Sequence, residues 1–243
     1  IASGSFAQLK IANGAQLTVS NGDFLYANEA IVNEGSLLLN SGKLIVAHDF
    51  NNAAGTLSAA NATLEFVGGA TQSLTFGSSD LAKRVELNKS ANTASVADGK
   101  LTITDGFKSV AGTLDAAEKI VLQSTSTKTA IVEQSIAGTV NNLVVERYIP
   151  AKRAFRLLSS PVTSTTTIKY NWQENQNNTS TLYTDNTNTA SGYGTHIAGS
   201  TSGSNGFDAT QTGNASLFLF DNTTQTWSGI SNTDTNRLTA GGA

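Results

Sequence analysis

Apolar and polar residues alternate in short runs along the first third of the chain, and the runs recur about every 20 residues. Three successive blocks fall into register: IANGAQLTVSNGDFLYANEA (11–30), IVNEGSLLLNSGKLIVAHDF (31–50) and NNAAGTLSAANATLEFVGGA (51–70). In that register Leu17, Leu37 and Leu57 share a column, as do Val19, Leu39 and Ala59. Phe24, Leu44 and Leu64 form a third column, and Tyr26, Val46 and Phe66 a fourth. A period of two is the pattern of a half-buried strand, not of a helix. Its repetition between Asn/Gly turns predicts a β-solenoid in which each repeat is one coil.

Gly22 and Gly42 occupy equivalent turns, as do Gly35 and Gly55, where glycine adopts a left-handed conformation at least cost. Asn13 falls in the column of Asn33, and Asn21 and Asn61 in that of Ser41, so turn Asn side chains are expected to bond along the coil axis. Beyond residue 70 the register loosens, but SLTF (73–76), RVEL (84–87), KLTI (100–103), KIVL (119–122) and NLVV (142–145) keep the style. Ser79 to Leu87 reads as strand, with a short capped helix as the alternative. Residues 1–145 are therefore expected to form a parallel β-helix of about seven coils, a rod of roughly 34 Å at about 4.8 Å per coil.

Both prolines, Pro150 and Pro161, lie in NLVVERYIPAKRAFRLLSSPV (142–162), together with Arg147, Lys152, Arg153 and Arg156. Proline ends ladder pairing, so residues 146–162 read as a junction. The basic cluster beside Glu146 suits a clamp there. Residues 163–243 are rich in Asn, Thr, Ser and Gly, with strand candidates at 166–172, 181–183, 192–197, 216–220 and 225–230. The last two, SLFLF and QTWSGI, read as a hairpin. The expected fold is all-β: a parallel β-helix, then a β-sandwich-like module that reads as cut short, since no clear closing strand precedes Ala243.

Charged residues make up 14% of the chain and the net charge is −3, which favours neither nucleic acid nor an anionic membrane. No apolar run is long enough to span a bilayer, so no membrane insertion is expected. The start, Ile1-Ala2-Ser3-Gly4, carries no signal-peptide pattern, and the absence of Met suggests a piece processed from a longer protein. Cys is also absent, which removes disulfides and thiolate metal sites. Low charge with regular Leu/Val/Phe columns reads as an extracellular β-rich protein rather than a disordered one.

VERYIPAKRAFRLLSSPV, followed by NWQEN, GYGTHIAG, NGFDAT, SLFLFDNTTQTWSGI and NTDTNRLTAGGA, resembles a recurrent block in large secreted surface proteins of the Bacteroidota. The resemblance covers roughly residues 140–243, with several motifs in the same order. Proteins of that family are exported by the type IX secretion system and often carry repetitive β-rich regions ahead of the block. The resemblance implies an extracellular, cell-surface address and brings no activity with it. It also implies as partners other surface proteins, copies of the chain itself, or the secretion translocon.

HExxH, GxSxG, a Walker loop and a Cys nucleophile are all missing. His48 reads as a solvated turn residue and His196 as a structural hydrogen-bonding group in a tight bend. Polysaccharide-active β-helices need carboxylates stacked on adjacent coils, and the 20-residue register offers one such pair, Glu29 and Asp49. Asp185-Asn186-Thr187-Asn188 has the flavour of a calcium loop but fails the EF-hand spacing; calcium is the one candidate ion, and no cofactor is expected. An ice-binding face fails because the outward column of Thr18 continues as Leu38 and Ser58.

An apolar outward strip is the more informative feature: Leu25 above Ile45, beside Leu38, a candidate contact patch that a later segment of the chain would otherwise cover. Trp172, Tyr183, Tyr193 and Trp227 are candidates for a glycan-facing surface, with core packing the competing role for both tryptophans. The expected function is that of a non-enzymatic surface protein: a stalk, adhesin or filament component. A glycan-binding or polysaccharide-degrading β-helix is the alternative.

Overall fold

Leu17 pairs with Leu37 and Leu37 with Leu57 in parallel strands, as the repeat predicts. The computed structural model describes residues 8–133, 137–150, 155–181 and 194–240. It is 49% strand and 4% helix, and its principal element is a parallel β-solenoid of about 6 turns with about 21 residues per turn. The chain divides into two units, residues 1–152 and 153–243, at a point inside the predicted junction.

Each turn of the solenoid lays one strand on each of three faces. The first face begins with Leu9–Ile11, Ile31–Asn33, Phe50–Asn51 and Gln72–Thr75. The second begins with Gln16–Val19 and Ser36–Leu39, and the third with Phe24–Ala27 and Lys43–Val46. Later turns run through their corners without a break, so Thr56–Gly68, Asp80–Asp98 and Leu101–Asp115 are long strands that each serve more than one face. Ser79 to Leu87 belongs to that strand run rather than to a helix. The looser register after residue 70 reflects steps of unequal length, from Ser58 to Leu81 and from Leu81 to Thr102. Inside, Leu37, Leu44, Leu74, Leu87, Leu101 and Ile120 have no exposed surface, and Phe50 meets Phe76 with ring centroids 5.8 Å apart.

The third face departs from the predicted register by one residue. Leu25 pairs with Leu44 and Ala27 with Val46, so Leu25 and Ala27 point inward, while Phe24 and Tyr26 stand opposite Lys43 and Ile45 and point out. The cause lies in the corners. Four residues separate Val19 from Phe24, and three separate Leu39 from Lys43. Gly22 and Gly42 are therefore not equivalent. Gly22 has φ +83°, whereas at the next corner Ser41 takes the left-handed conformation with φ 59°. Gly42 is needed for close approach instead, since a Cβ there would lie 2.8 Å from Val19 Cγ1.

Polar side chains thread two corners along the axis. Asn33 Nδ2 donates to Asn52 Oδ1 (2.6 Å), and Asn52 Nδ2 donates to Asp80 Oδ2 (2.7 Å), all three buried. Axial Asn bonding is thus present, but in neither predicted column: Asn33 bonds Asn52 rather than Asn13, and among the described residues no side-chain bond joins Asn21, Ser41 and Asn61. At another corner Lys89 Nζ is enclosed by Ala70 O (2.7 Å), Gln72 Oε1 (3.0 Å), Gly68 O (3.3 Å) and Val67 O (3.5 Å). Gln72 Nε2 in turn donates to Val46 O and His48 O, both at 2.9 Å. Buried donors and acceptors thus meet one another, as they must away from water.

The second unit is built differently. Ile168–Trp172 is a short helix, where the sequence predicted a strand; Thr167 caps it, its side chain accepting the Tyr170 N–H at 3.2 Å. Ala198–Ser200 pairs in parallel with Asp208–Ala209. The predicted hairpin is present, Phe218–Asp221 antiparallel to Thr226–Gly229, and Asp221 Oδ1 accepts the Thr223 and Thr224 N–H groups in its turn. Ile168, Ile197, Phe207 and Ile230 form the core.

Candidate contact surfaces

Two outward columns run along the third face. One is Phe24, Lys43, Thr63, Arg84, Gly106 and Ile131; the other is Tyr26, Ile45, Glu65, Glu86 and Lys108. Glu65 and Glu86 are directly opposite on neighbouring strands, a placement that repels unless a cation intervenes. Lys43 supplies it, its Nζ lying 2.7 Å from Glu65 Oε2 and 2.8 Å from Glu86 Oε2. Arg84 continues the network, with Nε 3.4 Å from Glu86 Oε1 and its Nη2 on the Glu133 carboxylate. Burial opposes the Lys43 charge, but its bonds to Glu65 and Glu86 outweigh it and hold the pKa above its ordinary value. Glu86 is held below its ordinary value: burial pushes upward, and the Lys43 bond with the Lys43, Arg84 and Lys108 charges prevails.

At the start of this face Phe24 is 68% exposed and Tyr26 51%, with Ile45 half-buried beside them. The predicted patch of Leu25, Leu38 and Ile45 is therefore corrected in one member. Ile45 faces out, and Leu38 lies in an outward column with Thr18 and Ser58 on the second face. Leu25 packs against the core, because the longer first corner shifts its strand by one residue, and Tyr26 takes its place above Ile45. Phe24 and Tyr26 were missed because Gly22 and Gly42 look like one turn repeated. The signal that finds them is the aliphatic stack Leu25–Leu44–Leu64, which needs a 19-residue first step.

The carboxylate pair Glu29 and Asp49 rests on the same 20-residue step. The first face pairs Ile31 with Phe50, so the two are not register mates, and Asp49 Oδ1 accepts the Ser73 N–H at 2.7 Å. His48 sits at the Gln72 corner, where its carbonyl is the bonded group. His196 Nδ1 is 3.6 Å from Asp208 Oδ2 and has no hydrogen-bond partner among the described residues. Asp208 is buried and serves the backbone, accepting the Asn178 N–H (2.7 Å) and the Ile197 N–H (2.8 Å). The corner thus uses the backbone carbonyl of His48, and the hydrogen bond expected of the His196 side chain is not made through Nδ1.

Of the four candidate aromatics, Trp172 packs against the second unit's core, because the helix carrying it turns that side chain inward. Tyr183 and Tyr193 lie outside the described residues, as do the Asp185–Asn188 loop and the cluster members Lys152 and Arg153. Trp227 is 55% exposed on the hairpin, its ring centroid 4.8 Å from that of Phe220. Among the described residues no three His, Asp or Glu side chains are grouped to hold a metal ion, and no helix is long and apolar enough to cross a membrane. No protein family, no curated protein and no solved structure matches the chain.

Proposed function

We propose that the chain is a non-enzymatic segment of an extracellular bacterial surface protein, exported by type IX secretion and serving as a stalk, adhesin or filament component. The observation that carries this reading is the unbroken stack of parallel coils, bonded along its axis by backbone ladders and by the Asn33–Asn52–Asp80 thread. Such an array is a spacer whose length is set by the number of turns. The block from VERYIP to NRLTAGGA supports the surface address by its resemblance to secreted Bacteroidota proteins. Partners in this reading are other surface proteins, further copies, or the translocon.

Antibodies raised against residues 1–243 test it. They should label intact cells, lose their target on protease shaving, and fail to label a strain lacking the secretion machinery. Labelling confined to permeabilised cells overturns the reading, and release of unsaturated products from acidic polysaccharides overturns its non-enzymatic part.

Glycan binding is a second reading, favoured by the exposed Trp227 ring beside Phe220. A sugar face can lie on such a platform. Binding on a glycan array that disappears in Trp227→Ala would establish it.

A further inference from the structure

Two surfaces of the second unit are strongly apolar and uncovered. Phe155 is 101% exposed and Leu157 82%, and they alternate with the less exposed Arg156 and Leu158, the two-residue period of a strand. The hairpin is the other surface: Phe218, Leu219 and Trp227 are all exposed, and neither of its strands has a second neighbour among the described residues. A short two-stranded ribbon with open edges and apolar side chains on both faces is a template for a further strand. Among the described residues nothing covers Phe155, and the two surfaces do not meet within one chain.

We propose that residues 155–158 of one copy add as a strand to an open edge of the Phe218–Gly229 hairpin of a second copy. Lengths match, because each hairpin strand has four residues. Charge matches as well. Residues 147–156 hold Arg147, Lys152, Arg153 and Arg156 and no acidic residue, whereas residues 163–243 hold five acidic residues against two basic ones. Asp221, at the end of the first hairpin strand, is kept ionised by the N–H groups of Thr223 and Thr224. Strand addition supplies main-chain hydrogen bonds, the apolar side chains supply affinity, and the opposite charges favour a second copy over an unrelated neutral strand. The inference deepens the filament reading above and rests on it for its setting.

Sedimentation velocity of the full chain from about 1 to about 100 µM tests it, a range that reveals weak specific contacts. Association is expected, weakening as salt rises. The variants Phe155→Ser/Leu157→Ser and Trp227→Ser/Leu219→Ser should each weaken it at least about tenfold, since aromatic anchors dominate such contacts. Both pairs are exposed, so unchanged circular dichroism is expected to accompany the loss. A mixture of the two variants should associate again, because each retains the surface the other lacks. A monomer at every concentration, association indifferent to both variants, or a mixture that stays monomeric overturns the proposal. If such a monomer still labels on intact cells, the surface reading survives and only the strand exchange is lost.

Discussion

The two units solve the problem of burial in opposite ways. In the solenoid one apolar cluster runs from Ile11 to Ala130, and each coil repeats the contacts of the last. Among the described residues of the second unit the apolar cluster has four buried side chains, Ile168, Ile197, Phe207 and Ile230, and polar groups tie most of its loops. Gln173 Nε2 donates to Gly206 O (2.9 Å), Asn177 Nδ2 to Gly203 O (2.8 Å) and Phe207 O (2.7 Å), and Asp208 accepts two backbone amides. In the solenoid the repeated core and the backbone ladders hold most of the chain, and the buried polar threads are confined to corners. Without such repetition, a small core rarely supplies more than about 3–5 kcal/mol, and buried hydrogen bonds must complete the fold.

The largest expected effect follows from that contrast. Asp208→Ala leaves the Asn178 and Ile197 amides without acceptors, a loss of about 3 kcal/mol or more, comparable with all the core supplies. Limited proteolysis should then digest the second unit while the solenoid stays resistant; continued protection of both would break the contrast. Leu64→Ala, at a wholly buried position, should cost about 2–5 kcal/mol and lower the denaturant midpoint of the solenoid without opening it.

Lys89→Met should cost about 1–3 kcal/mol, since Ala70 O and Gln72 Oε1 lose their donor. It should also change the alkaline behaviour. Burial holds the Lys89 pKa below 10.5, so as the pH falls from 10.5 the unfolded chain takes up the proton first and stability declines across that window. Denaturation at several alkaline pH values should show that decline in the parent and not in the variant.

Asp80 has the opposite sign. Burial raises its pKa above 3.8, against the Gly77 and Asn52 bonds, so its contribution is full below 3.8 and is lost as the pH rises through the raised value. Asp80→Asn keeps an acceptor for Asn52 and should remove that acid-range decline. Lys43→Ala should matter least, below about 1 kcal/mol, because the pairs are partly solvated and screened. Its loss should shrink further in high salt; an effect of several kcal/mol would mean that the outer face stabilises the rod as strongly as its core.

The same contrast explains what could be read from the chain. Leu17, Leu37 and Leu57 announce the solenoid because a parallel stack sets like residues over one another. What escaped was local: the extra residue between Val19 and Phe24 moves one strand by a single position, and a strand so moved exchanges its two faces. Phe24 and Tyr26 thereby changed from core to surface and Leu25 from surface to core. The helix at Ile168–Trp172 escaped for another reason, since its start depends on the Thr167 side chain, and IKYNW has no repeat to betray it. Core packing, expected for both tryptophans, holds for Trp172 and not for Trp227, which is exposed on the hairpin. Non-local bonds such as Lys89 to Gln72 leave no spacing signal, because the step between them is fixed by corners rather than by period.

Coil stacking also governs how such a rod responds to tension. The ladders join each turn only to its neighbours, so a pull on one end peels the terminal turn while the rest stays shut. Each release of about 21 residues yields roughly 70 Å of slack chain, at about 3.4 Å per residue. A stack of this kind lengthens in instalments under load and dissipates energy at every one, as a shock absorber does.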